Sequence, residues 1–214
     1  MDSESPARQA DEQLRRSRIL ETACTLLRTH GYHATSMDRI ARQAGMSKKT
    51  LYQLFTSKQN LFEQLLLERL FPSIGEDPAH GPDIDMEQTL IAHFRKLSPI
   101  IFDEERLALL RTIIGETNRS PAIQQAMTEA LQLSGHKTGL RAWIRHQQEA
   151  GCLLPGEPTD VADHLIGLTL GVPLLSRLTH CLPPRSPEAL EAFMRTGIRA
   201  FLQAWSRERE DRHS

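Results

Sequence analysis

From Leu14 onward, apolar residues recur every three to four positions. Ile19, Ala23, Leu26 and Leu27 fall on one side, with Arg15, Arg18 and Arg28 on the other. That period predicts an amphipathic helix. Gly31 ends it, as a residue that tolerates the left-handed backbone of a helix C-terminus. Thr35 or Ser36 then caps a short second helix, with Met37, Ile40 and Ala41 inward and Asp38 in its first turn, where a negative charge suits the helix dipole. It stops at Ala44-Gly45. Ser47 caps a third helix over 48–55, and Ser57 a fourth that carries Leu61, Phe62, Leu65, Leu66 and Leu70. Residues 72–85 hold three prolines and two glycines and read as a linker or long loop. Further helical patterns are expected at about 86–102, 104–117, 121–150 (broken near Ser134-Gly135), 159–180 and 187–208. No segment alternates with period two for long enough to predict a strand, and Asn-Gly or Asp-Gly hairpin signals are missing. The expected fold is all-α. Its expected divisions are a mobile tail at 1–13, a three-helix domain at 14–62 and a larger helical domain at 63–214.

Composition narrows the class. With 214 residues, 39% hydrophobic and 25% charged, the chain suits one compact soluble protein or two small domains. Aromatics make up only 5%, so the core must come mainly from Leu, Ile, Ala and Met. The net charge of −1 conceals an asymmetry: residues 1–62 carry net +4 and residues 63–214 net −5. Within 15–58, nine basic residues face only Glu21 and Asp38. Such a segment beside an acidic remainder suggests contact with a polyanion, although a solvated charged face accounts for the same count. The longest nearly unbroken apolar run, 165–175, is far short of the roughly 20 residues that span a bilayer. The first residues are polar and acidic, so no secretory signal is expected. Three widely spaced cysteines (Cys24, Cys152, Cys181) argue against a disulfide framework and for a reducing compartment. The expectation is a cytoplasmic protein with no membrane partner.

The informative stretch is 35–62. Ala44-Gly45-Met46 joins two short helices, and a small residue followed by Gly permits a sharp turn and a close crossing. That is helix-turn-helix geometry, in which the second helix enters the DNA major groove with its N-terminal residues toward base edges. Lys48, Lys49, Thr50 and Gln53 are hydrophilic and face outward, while Leu51, Leu54 and Phe55 pack back onto the preceding helices. Tyr52 and Lys58 are placed to reach phosphates, which hold register while base contacts carry sequence information. The run from Ile40-Ala41-Arg42-Gln43-Ala44-Gly45-Met46-Ser47-Lys48-Lys49-Thr50-Leu51-Tyr52 through Phe55, Ser57-Lys58 and Leu61-Phe62 resembles the DNA-binding domain of the TetR/AcrR family of transcriptional regulators. The likeness reaches back to Gly31-Tyr32 and Thr35 and covers roughly 14–62. It implies backbone contacts from Thr35, Thr50, Tyr52 and Lys58, and base or backbone contacts from Lys48 and Lys49, with Ser47 at the same helix start. Two positions depart from the family pattern. Lys49 stands where a small residue is common, and Gln53 and Leu54 stand where Tyr or His is frequent. Gln53 is suited to the N6 and N7 edge of adenine.

The resemblance implies a C-terminal domain that dimerises and holds a small-molecule effector. Ser186-Pro187-Glu188 opens the last helix, with Pro at its first position. Its apolar stripe includes Phe193, Met194, Phe201 and Trp205. The helix before it carries Gly167 and Gly171 four residues apart, a spacing that admits a close neighbour. These six residues are the expected homodimer interface, formed as a four-helix bundle. Leu107 to Arg119 with Pro121 resembles the C-terminal domain of an AefR-like subgroup. The expected effector pocket is lined by Phe94, Phe102, Leu110, Ile113, Met127, Leu131, Trp143 and His164, with His93, Arg111, Asn118 and His136 as further polar candidates. Enzyme readings find no support in motifs: there is no Gly-x-Ser-x-Gly elbow, no phosphate-binding Gly-rich loop and no His-Glu-x-x-His. No catalytic residue, metal site or cofactor is expected. A helical interaction protein on the same scaffold, without sequence-specific DNA binding, is the remaining rival, and the basic 15–58 segment speaks against it. The function expected is a dimeric regulator of a double-stranded DNA operator, a repressor released by its effector.

Overall fold

The computed structural model describes residues 6–71, 78, 84–134 and 139–207. Every element named among them is helical, and the pairing of Leu153 with Ser206 is an isolated bridge. In order they are α1 (Pro6–His30), α2 (Met37–Ala44), α3 (Lys48–Leu54), α4 (Lys58–Arg69), α5 (Met86–Ile101), α6 (Glu104–Thr117), α7 (Pro121–Ser134), α8 (Leu140–Glu149), α9 (Pro158–Ile166), a π-helical turn (Gly167–Gly171), α10 (Val172–Thr179) and α11 (Pro187–Trp205). The all-α expectation holds. Residues 6–13, expected to belong to a mobile tail, are instead the first two turns of α1. The expected boundary at 62/63 falls inside α4. Residues 1–5, most of the 72–85 linker, the break at Gly135 and the candidate His136 lie outside the described residues.

The chain divides into two compact units: Met1–Pro72 with Ala108–Gln132, and Ser73–Leu107 with Leu133–Ser214. The first has a core of Ile19, Leu20, Leu26 and Leu27 from α1, Ile40 from α2, Leu51 and Phe55 around α3, and Leu61, Phe62 and Leu65 from α4. Leu109, Ile113, Ile123 and Ala126 from its second segment complete it. Burying each large apolar side chain contributes about 1.5–3 kcal/mol, so these residues hold short helices that would be marginal alone.

The second unit is built around Leu90, Phe94, Trp143, Ile144, Val161, Leu165, Ile198 and Phe201. Two prolines interrupt its helices. Pro99 lies inside α5, and Pro173 opens α10. A proline cannot donate a backbone hydrogen bond, and its ring clashes with the carbonyl four residues earlier. At Pro173 that carbonyl belongs to Thr169, within the π-helical turn, where the wider spiral makes room. The Thr169 hydroxyl donates to the Leu165 carbonyl at 2.7 Å, inside the same irregular stretch. The resulting rod, Pro158–Thr179, is 22 residues long and apolar enough to cross a membrane by length and composition. Its buried face of Val161, Ala162, Leu165, Thr169 and Leu170 instead belongs to the core of the second unit. Within the chain, close helix approach occurs at Gly197. A side-chain carbon there would lie 2.4 Å from the Leu168 carbonyl oxygen, whereas nothing within the chain comes within 4 Å of the same position at Gly167 or Gly171.

Candidate nucleic-acid interface

The helix-turn-helix is set by its caps. The Ser36 hydroxyl accepts from the Arg39 amide and is the cap of α2. Gly45 takes the left-handed conformation (φ 68°), and its amide and that of Met46 return to the Arg42 and Ala41 carbonyls. A residue with a side chain is strained there, so the turn depends on Gly45. Ser47 caps α3, accepting from the Thr50 amide at 3.0 Å, and its hydroxyl also bonds that of Thr50 at 2.9 Å. Each such cap contributes about 1 kcal/mol. Leu51 and Phe55 are fully buried, fixing the rotation of α3 about its axis. That rotation leaves Lys48, Lys49, Gln53 and the half-exposed Tyr52 facing outward together.

Not every expected contact residue is free to act. Thr35 is fully buried, and its hydroxyl donates to the Gly31 carbonyl at 2.8 Å. In this structure it ties the end of α1 to the start of α2 and does not face outward as a phosphate donor would. The Lys58 ammonium donates to the Tyr32 carbonyl and lies 3.8 Å from the centroid of the Tyr32 ring. Burial pushes its pKa down. Burial, with Glu63 nearby, pushes the Tyr32 phenol up. Lys48 is exposed but paired with Asp38, so binding a phosphate would exchange one anionic partner for another. Thr50 is half-buried and shares its hydroxyl with Ser47.

Two residues outside the sequence expectation complete the arrangement. Glu116 accepts from the Tyr32 amide at 3.2 Å and lies against Gly31. Tyr32 is therefore held by α6 through its amide and by α4 through its carbonyl and ring, the ring also meeting Phe62 edge-on at 4.9 Å. Arg18 lies against Gly45 and lines a small cleft with Arg15, Ser47 and Thr50. Neither could be found by spacing: Glu116 is 84 residues from its partner.

The residues expected to line an effector pocket fall in different places. Phe94 and Trp143 are buried in the second unit's core, while Leu110, Ile113 and Met127 pack into the first. Leu131 is about half exposed. His164 is exposed beside Trp205, with ring centroids 5.7 Å apart. Phe102 does line a cavity of about 870 Å³, formed within the second unit by α5, α10, α11 and the segment before α11. Of the expected dimer residues, Gly167 and Gly171 are exposed. Met194 and Phe201 are buried within their own chain, Trp205 stacks on Phe201, and Phe193 lies beneath Arg185. Among the described residues no three His, Cys, Asp or Glu side chains gather as a metal site.

Comparison with known proteins agrees with this geometry. Residues 19–65 match the family described as bacterial regulatory proteins, tetR family, and residues 88–207 match the AefR-like transcriptional repressor C-terminal domain. The chain belongs to the TetR family. It is 26% identical to the HTH-type transcriptional regulator UidR of Escherichia coli K12 over 167 residues, 77% of this chain and 82% of that protein. A TetR-family regulator from Mesorhizobium loti superposes with a TM-score of 0.67 at 27% identity, covering 92% of this chain and 98% of the other. The flavonoid-responsive regulator FrrA gives a TM-score of 0.75 at 25% identity, with 92% and 99% covered. The chain is a DNA-binding transcriptional regulator of the helix-turn-helix type, and these relatives are regulators rather than enzymes.

Proposed function

We propose that this regulator is a cytoplasmic homodimeric repressor that leaves its operator when a small molecule binds its second unit. The observation that carries the reading is the outward face of α3. Lys48, Lys49, Tyr52 and Gln53 stand on a helix whose opposite side is locked by Leu51 and Phe55 and whose start is fixed by Ser47 and Gly45. Polar side chains projecting from a rigid helix are what groove recognition requires.

A twofold protein follows from paired half-sites about 34 Å apart. An apolar face in the second unit supports it: Leu168, Val172 and Leu175 are 44–60% exposed along the rod, next to the uncovered Gly171. This face replaces Met194 and Phe201, which already serve the chain's own core. Release by an effector needs only differential affinity for the two states, a few kcal/mol being enough to shift occupancy. Tyr32, gripped by Glu116 of α6, is the point through which such a preference would reach the helix-turn-helix.

The test is fluorescence anisotropy of the purified protein on DNA flanking its own coding region, at two salt concentrations, against scrambled DNA. Binding that exceeds the control by about three decades supports a specific regulator. Equal, weak and salt-sensitive binding to both DNAs overturns the operator assignment. Leu168→Asp with Leu175→Asp should yield monomers by sedimentation and lose the tight binding together.

A further inference from the structure

The cavity of the second unit has a chemistry of its own. Its apolar floor includes Pro99, Phe102, Leu190 and Met194. The volume of about 870 Å³ lies within the roughly 300–1,000 Å³ of small-molecule sites. The charged lining is lopsided: Arg95, Arg177 and Arg185 against the single carboxylate of Glu191.

These arginines are not equivalent. Arg95 and Glu191 satisfy each other through two hydrogen bonds of 2.9 and 2.6 Å, so that pair is neutral toward a guest. Arg177 is anchored by the Phe102 carbonyl and by Glu104, each at 3.3 Å or less. Arg185 lies over the Phe193 ring, 4.6 Å from its centroid, and has no carboxylate within ion-pair distance among the described residues. Its charge is the one left uncompensated at the cavity.

The wall that carries it is stiff. Pro183 and Pro184 punctuate the segment between α10 and α11, and Pro187 opens α11. Each fixes its own φ, so the wall has little conformational freedom to lose when a guest enters. Pro99 and Pro173 face the same space from α5 and α10, whose interrupted ladders shape the opening.

We infer that this cavity takes an amphipathic organic anion, an apolar skeleton carrying one carboxylate, with Arg185 as its charge partner. This rests on the reading of the protein as effector-responsive, and it adds the chemical class of the effector. A cationic guest would meet three arginines and one paired carboxylate. A neutral one would gain apolar burial while taking water from Arg185 without replacing it. An anion gains both the apolar contact and a charge-assisted hydrogen bond.

The test uses the full chain without DNA, so its outcome is separate from that of the operator assignment. Calorimetric titration compares carboxylate, alcohol and amine forms of three skeletons: decyl, 4-phenylbutyl and naphthylmethyl. In at least one skeleton the carboxylate is expected to bind about tenfold more tightly than the alcohol, with the amine weakest. Arg185→Gln is expected to bring the carboxylate to the alcohol's affinity with the melting temperature unchanged. Arg185→Lys should retain most of the preference. Lack of carboxylate preference in all three skeletons, or a preference indifferent to Arg185→Gln, overturns the proposal. So does failure of every probe while Leu182→Asp converts dimers to monomers, which would assign the cavity mouth to a second copy. Anisotropy of a labelled operator with the winning carboxylate then reads release on its own.

Discussion

The two units differ in what their polar side chains leave facing outward. In the first, hydroxyls and backbone amides are consumed locally: Ser36, Ser47 and Ser57 each cap a helix within three residues. Its cations divide: Arg16 pairs with Glu68, Arg69 with Glu21 and Lys58 holds the Tyr32 carbonyl, whereas Lys49 and the Asp38-paired Lys48 stand at the surface of α3. In the second, charges pair across long stretches of sequence. Arg95 reaches Glu191, Arg199 reaches Glu87, and Arg195 links both carboxylates. Local caps make the first a rigid presenting surface. The second is tied by partly exposed pairs, which individually contribute little, and its proline-interrupted helices line an open cavity. A rigid, outward-facing helix is what reading DNA requires, and a cavity is what the proposed effector would need, so the two units suit different tasks.

The largest expected effect comes from removing the pin of α3. Phe55→Ala should cost about 3–5 kcal/mol, because the side chain is fully buried and leaves a cavity. Both tryptophans, Trp143 and Trp205, lie in the second unit. If the units are as distinct as their cores, Phe55→Ala abolishes DNA binding while tryptophan fluorescence retains its native emission. A coincident shift of both signals would merge the two units into one cooperative block.

Next is the presenting surface. Lys48→Ala with Lys49→Ala should weaken operator binding about 10- to 100-fold and lower the salt slope by up to two, with the fold intact by circular dichroism. Asp38→Asn sharpens the point. It frees Lys48 from its ion pair, so non-specific affinity at low salt should rise.

Lys58→Ala separates the structural from the phosphate reading. The hydrogen bond to the Tyr32 carbonyl predicts a stability loss of about 1–2 kcal/mol in urea unfolding, with the salt slope unchanged. A slope lower by one unit would restore Lys58 to a phosphate.

Most of the first unit is legible in the sequence because its determinants are close together. The caps Ser47 and Ser57, Gly31 and Gly45, and the buried Leu51 and Phe55 are all read from neighbours a few residues away. The helical patterns at 104–117 and 159–180 are likewise recovered, since periodicity needs no partner. The expected dimer and pocket residues are less legible, for a physical reason. An apolar residue on a helix shows that the face is buried, but not by what. Met194 and Phe201 are covered by their own chain, whereas Leu168 and Leu175 remain open. The tight crossing at Gly197 depends on Leu168, a neighbour 29 positions away that spacing cannot reveal. Thr35 and Lys58 follow the same rule: the family pattern marks their types, and tertiary hydrogen bonds decide which way they face without DNA.

The smallest effect tests whether the first unit's polar economy extends to its carboxylates. Glu63 of α4 faces Glu129 of α7, with Gln59 and Asn60 also bonding its carboxylate. Burial raises its pKa first, and the Glu129 side chain raises it further, while the two amide side chains oppose. A carboxyl with a higher pKa in the folded than in the unfolded chain favours folding fully only below its unfolded value. That contribution is lost as pH rises through the raised folded value. Stability should therefore fall across the weakly acidic range as Glu63 loses its proton. Glu63→Gln keeps a hydrogen-bonding side chain without the charge, so it should flatten that part of the profile and stabilise the protein slightly at neutral pH. Urea midpoints measured at intervals from pH 4 to 8 decide it. A profile identical to that of the parent chain would mean that the two carboxylates are screened by water, leaving the first unit's stability to its caps and core alone.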